Sequence, residues 1–324
     1  FCLGLYILTF GLAFLETAAN PYALAMGPKQ TATQRLNLAQ AFNPIGLILG
    51  LFVAQQYVLK QLKSDDVLHF SALDEASKII IKTTDLMVIR NPYVILGLVI
   101  IAVFVLFLII KMPNSKDDVF NENIGKTVKR LFKNKDYSNG VVAQVLYVGA
   151  QIMCWTYIYQ YAEGIGIDSV TAGYYQMAAF VLFTVGRATG TYLLRFINAG
   201  RLLMIFSLFA IGCTIGVILI SSILGLYCLV GVSFFMSLMF PTIYGIALGG
   251  LTEDESKIGS AGLVMAIVGG ALMPKLQGMI IDLGGYGVND INIWGVSEVN
   301  LSFALPTFCF LFITIFGLKS SVNK

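Results

Sequence analysis

The chain runs to 324 residues, of which 57% are hydrophobic and 12% charged, with a formal net charge of +3. A soluble domain carries about a quarter charged residues, so this composition excludes a soluble fold and defines an integral membrane protein; the small net charge carries no signal for nucleic acid. Five cysteines, none in a CxxC pair, and one histidine, His69, leave no spacing suited to a metal site. No metal or organic cofactor is expected.

Continuous apolar runs of about 20 residues mark helices that cross a bilayer, whereas barrel strands would show about ten residues of alternating polarity. Nine such runs are read, at 2–26, 36–59, 92–111, 140–162, 170–194, 202–221, 223–249, 258–282 and 301–318, an all-α arrangement. The first holds Glu16 in its middle, with Asn20 one turn later and Pro21 directly after. An ionised carboxylate at that depth costs roughly 2.5–3.5 kcal/mol on insertion scales, and a chain keeps one where a wet cavity or a partner takes it up. No basic residue of this helix can serve as that partner, so Glu16 reads as a functional group.

A short polar turn, Gly27–Arg35, follows, and the second run opens with Asn37, Gln40 and Asn43 at a spacing of three, along one stripe. The short turn makes the two runs antiparallel neighbours, with Glu16 and Asn43 at similar depth. Amides there can hydrogen-bond sugar hydroxyls, and a carboxyl can do so in either protonation state. The other use for Asn37 and Gln40 is bonding between helices.

The loop Lys60–Asn91 leads to the third run. Lys111–Asn139 then carries Lys111, Lys116, Lys126, Lys129, Arg130, Lys133 and Lys135, which the positive-inside rule places in the cytoplasm. Alternation puts Gly27–Arg35, Arg195–Arg201, Leu251–Lys257 and the tail Lys319–Lys324 on the same side. The basic stretch divides the chain into residues 1–111, the last three helices of a first lobe, a linker 112–139, and a six-helix second lobe at 140–324. Phe1 stands inside an apolar run with no readable signal peptide. Three helices before the linker and six after it read as a two-lobed transporter without its first three helices. The segment FLETAANPYALAMG lies over FFMSLMFPTIYGIALG with Pro21 on Pro241, as parallel repeats would.

In the fourth run Tyr147, Gln151 and Trp155 share a face at a spacing of four, and Tyr159 extends the row. An amide between aromatics suits a pyranose, whose C–H face stacks while its hydroxyls meet the amide. An interfacial aromatic belt accounts for Tyr159 and Tyr161 but poorly for Gln151 and Trp155 in mid-span. Arg187, in GRATGTYLLRF, is expected to snorkel or to pair with Glu253–Asp254–Glu255. The pairs Gly186 and Gly190, Gly245 and Gly249, and Gly46 and Gly50 are expected to bring helices close together. Pro21, Pro44, Pro241 and Pro274 interrupt spans.

The run GLAFLETAANPYALAMGP…RLNLAQAFNPIG resembles the signature of the fucose:proton symporter family, within the major facilitator superfamily. Similarity continues in order through VLYVGAQIMCWTYIYQYAE, TAGYY, VGRATGTYLLRF, FPTIYG and VMAIVGGALMP. The resemblance implies a two-lobed, twelve-helix fold of which about nine helices are present, in a bacterial inner membrane. It implies L-fucose import coupled to a proton by alternating access, with glucose, galactose or N-acetylglucosamine as alternative sugars. The family's fourth-helix carboxylate falls on Glu16 and its fifth-helix asparagine on Asn43; the essential aspartate of the family's first helix has no counterpart. The family's L-fucose permeases carry glutamine where this chain has Met239. The site expected from pattern and resemblance together is Glu16 for the proton, with Glu16, Asn20, Gln40, Asn43, Tyr147, Gln151 and Trp155 for the sugar. The expected partners are a small-molecule sugar and the lipid bilayer, with the proton as coupling ion and the chain working as a monomer. A membrane-embedded enzyme would need a catalytic dyad or metal ligands at one depth, and the sequence offers neither; nine spans and a basic central loop argue against a seven-helix-type receptor.

Overall fold

The computed structural model describes residues 2–58, 61–62, 74–110, 124–285 and 291–322. His69 and the first part of the basic linker, 111–123, lie outside the described residues. The chain divides into two units, Phe1–Pro44 with Asp118–Lys324, and Ile45–Asp117.

The smaller unit is dominated by α4 (Glu75–Ile109), a helix of 35 residues, about 52 Å at 1.5 Å per residue. Its start corrects the reading of 60–91 as one loop: residues 75–91 are helical. Asp74 caps the helix by accepting from the Ser77 N–H at 3.2 Å, and Lys78 pairs with Glu75 at 3.0 Å. The run Ile79–Ile81 carries the helical pattern upstream of Pro92 despite the charges around it.

In the larger unit α1 (Cys2–Ala25) and α2 (Ala32–Gln40) form a helical hairpin. Gly27, at a φ of 127°, makes the turn, and Arg35 folds back to donate to Leu24 O at 2.8 Å and Ala23 O at 3.4 Å. Those are the C-terminal carbonyls of α1, which lack helical donors. After Ala41 the chain begins α3 (Phe42–Val53), inside which the boundary between the units falls. The expected single span 36–59 is therefore broken, because Pro44 cannot continue the hydrogen bonding of α2.

The short basic helix α5 (Ile124–Lys133) precedes α6 (Lys135–Thr156) and α7 (Ile158–Gly164). α8 (Ser169–Leu193), α9 (Ala199–Leu219), α10 (Ile223–Met236) and α11 (Met239–Leu248) follow. α12 (Glu253–Met265) and α13 (Gly269–Ile281) are joined by one 3-10 turn. A two-residue hairpin, Asn292–Ile293 against Val296–Ser297, leads to α14 (Glu298–Ser302) and α15 (Ala304–Val322).

The core lies among α6, α8, α9, α10, α11 and α15, where Met153, Ala179, Leu203, Leu229, Ile243 and Phe310 are all buried. Small residues set the spacing, as expected in lipid. A Cβ added at Gly190 would sit 2.8 Å from Leu238 Cδ2, whereas one at Gly46 or Gly50 meets nothing within 4 Å. Met239 is fully buried in this core.

Among the described residues six helices are long and apolar enough to cross a membrane, or seven if α6 and α7, bent by 42°, form one span. The nine expected runs differ for local reasons. The run 36–59 is split at Ala41, and the run 170–194 overlaps nearly all of α8 but carries Gln176, Arg187 and four threonines.

The α1–α2 hairpin packs on α11 and α12 reciprocally, α1 against α12 and α2 against α11. With Pro21 laid over Pro241, α1 corresponds to α11 and α2 to α12, so each helix packs on the counterpart of its neighbour.

Candidate functional site at the helix crossing

Where the two hairpins cross, polar side chains converge. Gln40 on α2 donates its Nε2 to Asn20 Oδ1 on α1 at 3.0 Å, with both residues buried. One helical turn before Asn20 stands Glu16, half-buried, with no hydrogen bond or ion pair among the described residues. The Tyr244 ring of α11 lies within electrostatic range of that carboxyl and stacks on Phe240, 6.3 Å between centroids. Asn37 is fully buried and donates Nδ2 to Thr33 O at 2.9 Å and to Thr242 Oγ1 on α11 at 3.3 Å. Asn20 Nδ2 and Asn37 Oδ1 keep unused hydrogen-bonding capacity in this buried setting.

Of the residues singled out in the sequence, Asn20 and Gln40 are joined directly and Glu16 adjoins them. Asn43 falls beyond the break at Ala41, and its side chain is exposed. It does not continue the buried stripe of Asn37 and Gln40, because α3 starts a new helical register.

On α6, Tyr147 is fully buried, its ring 6.3 Å from Phe240, and its hydroxyl has no hydrogen-bond partner among the described residues. Gln151 is half-buried. Trp155 donates its indole N–H to Ser233 Oγ at 3.2 Å and meets Phe180 and Phe183 edge-on at 4.9 and 5.1 Å. The row Tyr147, Gln151, Trp155 thus runs along one helix from a buried to a half-buried setting.

Arg187 departs from its expected place. It does not snorkel or pair with the acidic loop: it is 4% exposed, donating Nε to Ser237 O at 2.7 Å and Nη1 to Gln40 O at 2.9 Å. Glu255 instead pairs with Arg130 of α5 and closes a capping box with Thr252. Neither Arg187 nor Thr242 was a candidate from pattern alone. The sequence signal lay in two prolines, Pro44 and Pro241, each four residues after a carbonyl that Arg187 reaches. Lys275, which the sequence places within a span, is exposed on α13.

A half-buried acid on a membrane-crossing helix, beside a pair of buried amides where two pairs of helices meet, is the arrangement of a secondary transporter. The chain belongs to the major facilitator superfamily, whose family model matches residues 1–274.

Among its relatives is an L-fucose-proton symporter of Haemophilus influenzae, 51% identical over 326 residues that cover 99% of this chain and 74% of the relative. The L-fucose-proton symporter of Escherichia coli is 31% identical, over 98% of this chain and 71% of its own length. A glucose/galactose transporter of Brucella abortus is more distant, at 27%. In three dimensions the chain matches the crystal structure of the E. coli transporter FucP in the outward conformation with a TM-score of 0.86. The match has 30% identity and covers 98% of this chain and 75% of that one.

Proposed function

We propose that this protein is a sugar importer of the fucose:proton symporter family, taking up L-fucose with a proton across the bacterial inner membrane. One observation carries the reading: Glu16 stands without a cation partner among the described residues, half-buried, one turn from the hydrogen-bonded amides of Asn20 and Gln40. A carboxyl in such a place binds and releases a proton at modest cost, because no ion pair has to be broken first. The 51% identity to the Haemophilus symporter supports L-fucose as the sugar.

In this reading Glu16 takes up the proton and contacts the sugar. Asn43, Gln40 and Asn20 offer amides from the first lobe, and Gln151, flanked by Tyr147 and Trp155, offers one from the second. Protonation removes the penalty of closing Glu16 away from water, and sugar bridging both lobes favours their closure, so the two ligands bias the same pair of states.

The test is uptake of labelled L-fucose into proteoliposomes under an imposed proton gradient. The expected result is accumulation by the parent protein, competed by unlabelled L-fucose and not by D-glucose, D-galactose or N-acetylglucosamine. Glu16→Gln is expected to abolish gradient-driven accumulation while sugar exchange persists. Normal accumulation by Glu16→Gln would overturn the assigned role.

A further inference from the structure

Proline has no N–H, so a proline in or entering a helix leaves the carbonyl four residues before it without its usual donor. Pro21, Pro44 and Pro241 do this to Thr17, Gln40 and Ser237. Two of these carbonyls accept from a side chain of another helix: Gln40 O takes 2.9 Å from Arg187 Nη1, and Ser237 O takes 2.7 Å from Arg187 Nε. Ser260 Oγ stands 3.5 Å from Thr17 O but makes its short bond, 2.7 Å, to Lys257 O.

Arg187 therefore serves two proline-freed carbonyls at once, one on each side of the contact between α2 and α11. Its guanidinium lies 4.8 Å over the Phe183 ring and meets no carboxylate among the described residues. A planar fork of donors fits two separated acceptors as a lysine ammonium does not. Held by carbonyl dipoles instead of a counter-ion, it can let go of one partner and leave no buried anion behind.

We propose that Arg187 is a positioning residue that latches α2 onto the C-terminal helices. The placement of the end of α2, and with it Asn43 and the Gln40–Asn20 pair, follows α8 and α11 in the present state and is released in the alternate one. The proposal deepens the alternating-access reading above and rests on it, but its test needs no sugar.

A Cβ on Gly245 would lie 3.2 Å from Thr33 Cβ, a few tenths short of the roughly 3.5–4.5 Å of a disulfide. The pair Thr33→Cys and Gly245→Cys thus reports contact between α2 and α11. In the full chain in native membranes, with a protease site placed in the linker at 112–123, oxidative cross-linking keeps the two fragments together on a gel. The same background without the cysteine pair is the control.

Arg187→Met is expected to slow cross-linking about tenfold, the loss of one charge-assisted hydrogen bond, with the folded amount checked by size exclusion. Pro44→Ala supplies Gln40 O with a helical donor and is expected to slow it similarly; the double variant goes no further than either alone. Arg187→Lys falls between. A folded Arg187→Met that cross-links at the parent rate overturns the latch, as does full additivity with Pro44→Ala. Should Arg187→Met not fold, parent rates in both Arg187→Lys and Pro44→Ala overturn it. Failure of L-fucose uptake alone counts against the sugar assignment and leaves the cross-linking result standing.

Discussion

The contact between α2 and α11 makes a sharp prediction for Gly245→Val. An added Cβ would stand 2.7 Å from Thr33 Oγ1 and 3.2 Å from both Thr33 Cβ and Cγ2. Carbon atoms pack at about 3.5–4.0 Å, and Thr33 Cβ belongs to a backbone-fixed position that no rotamer moves. α2 must therefore withdraw by roughly half an ångström, carrying the Asn37–Thr242 hydrogen bond with it. Overpacking of this kind costs about 1–3 kcal/mol. Valine brings little helix propensity to offset it, so the expected loss lies at the upper end, seen as a drop of several degrees in the thermal midpoint of purified protein in detergent. Thr33→Ala removes Oγ1 and Cγ2 but leaves Cβ, and is expected to recover part of that drop when combined with Gly245→Val. An unchanged midpoint in Gly245→Val, or no recovery on adding Thr33→Ala, would refute the close approach of the two helices.

Other tests address separate links in the chain from sequence to function. Gln40→Leu leaves the buried Asn20 amide without its partner and is expected to cost roughly 1–3 kcal/mol, whereas the pair Gln40→Leu with Asn20→Leu restores most of it; a thermal-melt double-mutant cycle checks this. Arg130→Ala breaks a pair whose arginine is half exposed, so its stability cost is expected below about 1 kcal/mol and to shrink with added salt. Asp168 caps α8, accepting from Thr171 N at 3.0 Å and Thr171 Oγ1 at 2.7 Å, bonds that hold its carboxyl below the ordinary aspartate range. A depressed folded pKa contributes stability above the unfolded value of about 3.9, and that contribution is lost as pH falls through the lower folded pKa. Asp168→Asn should flatten the acid limb of a melting-temperature profile below about pH 4; an unaltered limb contradicts this.

Much of the molecule was legible in advance, for reasons that are local. Nonpolar runs of the length of a bilayer have one stable backbone solution in lipid, so α1, α9 and α15 lie close to where composition puts them. Glu16 and Asn20 are neighbours because four residues are one helical turn, and Gln40 meets Asn20 because a short turn leaves two helices side by side.

What pattern could not supply is everything set by partners distant in the chain. Arg187 reads as an interfacial cation until its acceptors, 50 and 147 residues away in sequence, are in place. Asn43 continues a helical stripe on paper, but the break at Ala41 turns it to the exposed side. The run 170–194 reads as a span, but that reading does not show that packing buries Arg187 and Thr191 within α8. Helical periodicity and hydropathy are properties of neighbouring residues and can be read one segment at a time. The burial of a charge depends on which carbonyls another helix brings to it, and only the assembled structure decides that.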